Sequence, residues 1–339
     1  MESALPGIHD AAMVYSGRNL LGEPGMRITI VGLGKIGISL GLALREATPQ
    51  AQRIGHDPNP WRAREALRRQ AVDRIDGSLP GACEGSDLIL LALPLADMER
   101  TLRAIAPILA EGTLVLDTAE LKAPVLAWAR HHLPPTVPFI GGHPILRPDV
   151  GEEPGPDLFR DALFCLTPPA QAPAWAVEAA AGLAHRIGAR PFFIDPVEHD
   201  GWMAALEQLP SLLSAALLSV WSAAPARREM PQAIGSRFAR MTADLPDAPS
   251  GRLAAMANRE SLLYWLDRLL EALGRLREAL TDVENEAALE DFFRSADRIR
   301  EAWLKSRHES LQALPIPADP PGLLETMLKL RSLRPSRKQ

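Results

Sequence analysis

Short, continuous apolar runs alternate with helical patterns over about the first 195 residues of the chain. The runs are rich in Leu, Ile, Val and Phe, and most of them end at Gly, Pro or a polar residue, as buried strands do. They lie at 27–31, 52–56, 86–93, 113–117, 138–142, 162–167 and 191–195. Continuously apolar strands separated by helices are typical of a parallel sheet covered on both faces. The pattern therefore predicts an α/β fold with a Rossmann-type parallel sheet.

From about residue 196 the pattern changes to helices alone. Residues 197–221, 250–282 and 284–305 carry helical periodicity, and proline-rich breaks at 224–231 and 245–249 separate them. We predict an all-α domain for substrate binding and dimerisation after the Rossmann domain. The predicted divisions are an N-terminal extension (1–25), a dinucleotide-binding Rossmann domain (26–195), a helical domain (196–310) and a C-terminal tail (311–339).

Residues 208–226 form an uncharged run of 19 residues, which is long enough to raise the question of a membrane span. It contains four serines and two prolines, so its apolar density is low for such a span. We predict instead a buried helix of the helical domain or of a dimer core. Because the helices after residue 196 carry more apolar face than a monomer needs, we expect a homodimer and no membrane partner.

The first apolar run leads directly into a glycine-rich turn and then into an Ala/Leu-rich helical pattern. The turn is Gly32, Leu33, Gly34, Lys35, Ile36 and Gly37. In a Gly-x-Gly-x-x-Gly turn between strand and helix, the glycines allow the turn, the approach of a pyrophosphate and close helix packing. The second strand ends at Asp57, where a carboxylate accepts hydrogen bonds from the ribose of NAD and repels the 2′-phosphate of NADP. We predict that the turn and Asp57 bind NAD.

Composition and charge narrow the class of protein further. A net charge of −5 and a pI near 5.9 argue against a nucleic-acid partner. The two cysteines, Cys83 and Cys165, lie far apart and show no metal-type spacing. We expect reduced thiols, no metal site and a cytoplasmic location.

Three strand ends are predicted to face one crevice, because ligands of parallel sheets bind beyond the carboxyl ends of the strands. They are Leu93-Pro94, Asp117-Thr118 and Gly142-His143. We predict that Leu93, Pro94 and Thr118 contact the cofactor and that His143 lies near it.

Several motifs, in this order, resemble the prephenate/arogenate dehydrogenase family. They are the glycine turn, Leu93-Pro94, Asp117-x-x-x-x-Lys122, Gly141-Gly142-His143-Pro144, Glu198-His199-Asp200, Leu209-Pro210 and Asn258-Arg259-Glu260. The resemblance covers about residues 26–300. It implies NAD-dependent oxidative decarboxylation of a cyclohexadienol to a phenol, as in tyrosine biosynthesis, with His143 as the catalytic histidine. Histidine suits removal of the hydroxyl proton because its pKa lies near operating pH. For His199, a capping or hinge role is as well supported as a substrate contact.

The chain departs from the family pattern where that pattern holds the substrate. Glu120 replaces a serine, Gln208 and Ser211 replace two histidines, and the stretch Phe238–Ala243 has alanine in place of a carboxylate-binding arginine. Alanine cannot supply the paired charge-assisted bonds of an arginine. The predicted substrate residues are Glu120, which suits a cationic group such as an amine, Gln208, and Arg147 or Arg240 as a carboxylate anchor.

Three functions follow from these matches and departures. The first is a divergent prephenate or arogenate dehydrogenase. The second is an NAD-dependent oxidoreductase of the same fold that acts on a different, possibly amine-bearing small molecule in specialised metabolism. The third is a nucleotide-binding protein that has lost catalysis and acts as a sensor or partner subunit.

Overall fold

The computed structural model describes residues 25–243, 245–282 and 286–313, so the predicted N-terminal extension and C-terminal tail fall almost wholly outside it. Eight strands in the described part are β1 (Arg27–Val31), β2 (Gln52–His56), β3 (Arg74–Ile75), β4 (Leu88–Leu91), β5 (Leu114–Asp117), β6 (Phe139–Ile145), β7 (Leu163–Thr167) and β8 (Arg190–Phe193). They form one sheet in the order β3-β2-β1-β4-β5-β6-β7-β8. All seven predicted strands are confirmed, with ends that differ by up to three residues.

Twelve α-helices are present in the described ranges. They are α1 (Lys35–Ala47), α2 (Pro60–Arg68), α3 (Leu79–Cys83), α4 (Leu95–Ile105), α5 (Ala123–His132), α6 (Ala174–Arg186), α7 (Pro196–Met203), α8 (Leu209–Ser222), α9 (Ser236–Met241), α10 (Ala248–Ala257), α11 (Arg259–Thr281) and α12 (Glu286–Ala313). A π-helical turn, Ala204–Gln208, joins α7 to α8. No strand follows β8 in the described residues, which agrees with the predicted change to helices.

One pairing in the sheet corrects the prediction of a wholly parallel sheet. Strands β6 and β7 run antiparallel, with His143 opposite Cys165, whereas the other pairs are parallel. A parallel neighbour needs a crossover, usually a helix. The β6–β7 connection contains only the short 3-10 turn Pro156–Phe159, so the chain returns along the same sheet edge.

The core lies on both faces of the sheet, as continuous apolar strands require. Alternate residues of each strand point to opposite faces. Ile28 and Ile30 of β1 belong to a buried cluster that includes α1 and α6 side chains. Ile89 and Leu91 of β4 belong to a second cluster that includes α4 and α5 side chains. The sheet is therefore a rigid layer whose strand ends hold the residues of the crevice.

The helical part corrects two predictions. Residues 250–282 are two helices, α10 and α11, because the chain bends at Asn258. Helix α8 is not buried within the chain, since Ser214 is its one buried residue. The continuous stretch Pro196–Ser222 is long and apolar enough to cross a membrane by length and composition, and 22% of its most apolar window is buried. The same stretch carries the buried polar residues His199 and Asp200.

Candidate active site

The glycine turn has the geometry that a dinucleotide requires. Gly32 adopts a φ of +91°, and a Cβ there would lie 2.2 Å from the carbonyl oxygen of Ala92. A Cβ on Gly37 would lie 1.8 Å from the carbonyl oxygen of Gly32, so α1 packs against the turn only because this residue is glycine. A Cβ on Gly34 would meet no atom within 4 Å, which leaves this side of the turn open to a ligand. Helix α1 begins at Lys35 without a side-chain cap, so its first N–H groups remain available for a phosphate.

Asp57 is joined directly to this turn. Its Oδ2 accepts a hydrogen bond from the backbone N–H of Leu33 at 2.8 Å, and its Oδ1 accepts one from Asn59 at 2.8 Å. The carboxylate also lines a cleft of about 320 Å³. It is therefore held in position at the edge of this cleft.

The other predicted cofactor residues lie at neighbouring strand ends. Leu93 follows β4 and lines a second cleft of about 240 Å³, together with Val31 and His56. Pro94 precedes α4, and Thr118 donates its backbone N–H to the carbonyl of Leu91 at 3.0 Å. Leu93 thus lines a cleft at a strand end, and a crevice shared by all three strand ends stays a prediction.

A buried ion pair links β5 to β6 beneath the site. The Nζ of Lys122 lies 2.5 Å from Oδ2 of Asp117 and donates to the carbonyl of Gly142, and both charged side chains are fully buried. Asp117 also accepts the N–H groups of Gly142 and Ala119. This network fixes the backbone immediately before His143.

His143 is 6% exposed and takes part in a chain of hydrogen bonds. Its Nδ1 lies 3.0 Å from Nε2 of His199, and Nδ1 of His199 lies 2.9 Å from Oδ1 of Asp200. Asp200 is itself fixed, because its carboxylate accepts the N–H groups of Lys122 and Ala123 at the start of α5. The side chain of Asn258 donates to the backbone carbonyl of Asp200.

This chain of bonds selects the tautomer of His143. A carboxylate only accepts, so Nδ1 of His199 donates to Asp200, and Nε2 of a neutral His199 then accepts from Nδ1 of His143. The Nε2 of His143 is left with a free lone pair. Burial, followed by the positive charge of Lys122 and the presence of His199, holds the pKa of His143 well below its usual range. His143 is therefore neutral at pH 7 and able to accept a proton.

A pocket of about 690 Å³ lies beside this histidine and is lined by Glu120, Glu207 and Arg240 among others. Oε2 of Glu207 lies 3.6 Å from Nε2 of His143. Burial, and then the charge of Glu120, raise the pKa of Glu207 to about 7. Burial and the nearby Asp247 raise the pKa of Glu120, although Lys122 acts in the opposite direction.

Two predicted substrate residues lie elsewhere. Gln208 is buried, and its Oε1 accepts from the side chain of Asn258 at 2.8 Å, so its amide serves the packing of the helices rather than the pocket. Arg147 follows β6 and lies 3.3 Å from Asp149, and it is not among the residues that line the pocket. Glu120 and Arg240 are the predicted substrate residues that the structure places at the pocket.

Sequence reasoning assigned no role to Lys122 or Asp200 and left that of His199 open, although all three belonged to recognised motifs. Glu207 was visible only as a departure from the family pattern. Its nearness to His143 depends on where the π-helical turn lies among the helices, which the sequence does not reveal.

Comparison with known proteins tests the predicted family resemblance. Residues 40–192 match the family model described as prephenate dehydrogenase, nucleotide-binding domain. A cyclohexadienyl dehydrogenase of Zymomonas mobilis is 28% identical over 290 residues, which cover 83% of this chain and 97% of that protein. These matches confirm the predicted resemblance to the prephenate dehydrogenase family.

Solved structures agree on the fold. The prephenate dehydrogenase of Aquifex aeolicus, in complex with hydroxyphenyl propionate and NAD⁺, superposes with a TM-score of 0.71 at 20% identity and covers 83% of this chain and 99% of its own. The arogenate dehydrogenase of Synechocystis gives a TM-score of 0.62 at 24% identity, with coverage of 82% and 100%. The predicted class, a Rossmann-type sheet followed by helices, is confirmed.

Proposed function

We propose that the protein is an NAD-dependent dehydrogenase that oxidatively decarboxylates a cyclohexadienyl acid to an aromatic product. The observation that carries the proposal is buried His143, whose Nδ1 lies 3.0 Å from Nε2 of His199 and whose Nε2 lies 3.6 Å from Glu207. His143 lies beside a pocket, on a strand of the sheet whose glycine turn fits a dinucleotide.

Each residue of the site has its own role in the reaction. NAD, when bound, supplies the hydride acceptor. His143 takes a proton from the heteroatom on the reacting carbon, while His199 and Asp200 keep its Nδ1–H in place and stabilise the charge that it gains. Arg240, at the pocket wall, supplies the carboxylate anchor that the family arginine supplies elsewhere. Loss of CO₂ with aromatisation drives the reaction forward.

Turnover with prephenate and with arogenate tests the function. The purified protein and NAD⁺ are expected to form NADH and CO₂ in equal amounts with at least one cyclohexadienyl acid, measured by absorbance at 340 nm and by trapped CO₂. Measurable NAD binding without turnover of any cyclohexadienyl acid would favour the third reading, a nucleotide-binding sensor or partner subunit.

Asp57 is expected to make the protein prefer NAD over NADP by roughly tenfold or more in Kd, because its charge repels a 2′-phosphate. Asp57→Asn keeps an oxygen to accept the Leu33 N–H but removes the charge, so it should narrow the preference. Arg53, which could have accommodated the 2′-phosphate, is buried and paired with Asp73. Calorimetry with both nucleotides measures the effect, and equal affinities in the unmodified protein would refute the assignment.

We propose further that the protein is a cytoplasmic homodimer joined through its helical domain, residues 196–310. Large apolar side chains are exposed along α8, α11 and α12; they include Val220, Tyr264, Leu270, Leu280, Phe293 and Ile299. A second copy would cover such a surface symmetrically. Light scattering is expected to give about twice the 36.9 kDa chain mass, and a monomer at micromolar concentration would contradict this.

A further inference from the structure

The pocket beside His143 carries two carboxylates at the point where the base acts. Glu207 belongs to the π-helical turn between α7 and α8, and its Oε2 lies 3.6 Å from Nε2 of His143. About a third of its side chain (35%) is exposed, and it lines the pocket together with Glu120. Single π-turns of this kind are frequent at functional sites because they redirect one side chain.

Neither carboxylate has a cationic partner among the described residues. No arginine or lysine lies within ion-pair distance of Glu207 or Glu120, although Arg240 lines the same pocket. Each carboxylate has a raised pKa, chiefly because of burial. Two partly buried acids that oppose each other's ionisation are a cost to the free protein, and a bound cation would remove it.

The Nε2 of His143 points to where that cation would bind. His143 is 6% exposed, and among the described residues its Nε2 has no hydrogen bond and lies 3.6 Å from Oε2 of Glu207. In the proposed reaction this atom faces the heteroatom on the reacting carbon. Glu207 therefore lies beside the reacting group itself, and Glu120 lines the same pocket.

We propose that the substrate carries an amine, not a hydroxyl, on the carbon that is oxidised, and that Glu207 and Glu120 select it. This inference rests on the proposed function and names the substrate class of the same site: a 4-aminocyclohexa-2,5-diene-1-carboxylate whose product is an aryl amine. A primary aliphatic amine binds as the ammonium ion, which compensates the two carboxylates. A hydroxyl gives them no such compensation.

The atoms and electrons of the step balance. The ammonium group gives one proton to Nε2 of His143, and the nitrogen lone pair then assists departure of the hydride from the adjacent carbon to NAD⁺. The bond between the ring and its carboxylate breaks, CO₂ leaves, and the electrons of that bond complete the aromatic ring. The products are an aryl amine, CO₂, NADH and one proton, so the substrate is oxidised by two electrons and NAD⁺ is reduced by two.

Kinetics with three substrates test the proposal. They are prephenate, arogenate and the analogue of prephenate in which an amine replaces the ring hydroxyl. We expect kcat/KM for the ring-amine analogue to exceed both others by about tenfold or more, and Glu207→Gln to lower it by about 10–100-fold, in line with loss of a desolvated charge partner. The matched control is Glu178→Gln, which removes an exposed carboxylate from α6 and should change nothing.

Binding without turnover gives a second readout. In the absence of NAD, cis-4-aminocyclohexanecarboxylate should bind about tenfold tighter than cis-4-hydroxycyclohexanecarboxylate by calorimetry, and Glu207→Gln should remove the difference. Preference for prephenate or arogenate, or equal binding of the two saturated acids, would overturn the inference and leave the proposed function standing. If none of the three substrates is oxidised although the amine binds selectively, the proposed function fails and the cation selectivity stands.

Discussion

Replacing His143 with Asn is expected to lower kcat by roughly 10²–10⁴, the range for loss of one general base. The Asn side chain is close in size to part of the imidazole and stays polar, so the pocket should keep its shape. The residue lies away from the glycine turn, and NAD affinity should change by less than about threefold, because the change removes a group needed in the transition state. Steady-state kinetics and calorimetry measure the two quantities.

The pH profile separates a base from a structural residue. The pKa of His143 lies well below its usual range, whereas the pKa of Glu207 is about 7. In Glu207→Gln, where that carboxyl no longer titrates, the low-pH limb of kcat/KM should therefore rise at a pH below 6.5 and level off before neutrality. His143→Asn should remove that limb. His131→Asn, an exposed histidine on α5, is the matched control and should retain both rate and profile. An unchanged kcat in His143→Asn would remove the catalytic assignment.

Much of the sheet could be predicted because its strands are continuously apolar. Runs such as 86–93 and 113–117 are too short and too apolar for surface helices, and both became central strands. Strand β3 is only Arg74–Ile75, and two residues carry no periodicity. The antiparallel β6–β7 pair was missed because an apolar run reports burial and not direction.

Part of the site could likewise be predicted from local motifs, and part depends on contacts between residues that are distant in the sequence. His143 could be found because Gly141-Gly142-His143 stands at the end of a predicted strand. Its partner His199 is 56 residues away in α7, and only packing brings the two rings within 3.0 Å. A lone glutamate such as Glu207 in a helical pattern is ordinarily solvated, and no spacing rule identifies the π-helical turn that directs it inward. Local motifs thus predicted that His143 stands at a strand end, while the contacts of its side chain required the fold.

The largest effect on stability is expected from Lys122→Met. Lys122 and Asp117 are both fully buried, and the ammonium group also holds the Gly142 carbonyl. Methionine fills a similar volume but leaves Asp117 as an uncompensated buried charge, which typically costs about 3–5 kcal/mol. The midpoint of urea unfolding at fixed protein concentration, with and without saturating NAD, measures the loss.

Two further variants show that the cost comes from the broken pair rather than from a missing lysine. Lys305→Met removes an exposed lysine whose nearest acid, Glu309, is 3.9 Å away, and it should change the free energy of unfolding by less than about 0.5 kcal/mol. Adding Asp117→Asn to Lys122→Met removes the unpaired charge and should restore part of the stability, because the amide oxygen can still accept one of the two backbone N–H groups. If the free energy of unfolding of Lys122→Met lies within about 1 kcal/mol of that of the unmodified protein, the effect is no larger than that of an ordinary surface change. That result would mean that this buried pair does not hold β5 to β6.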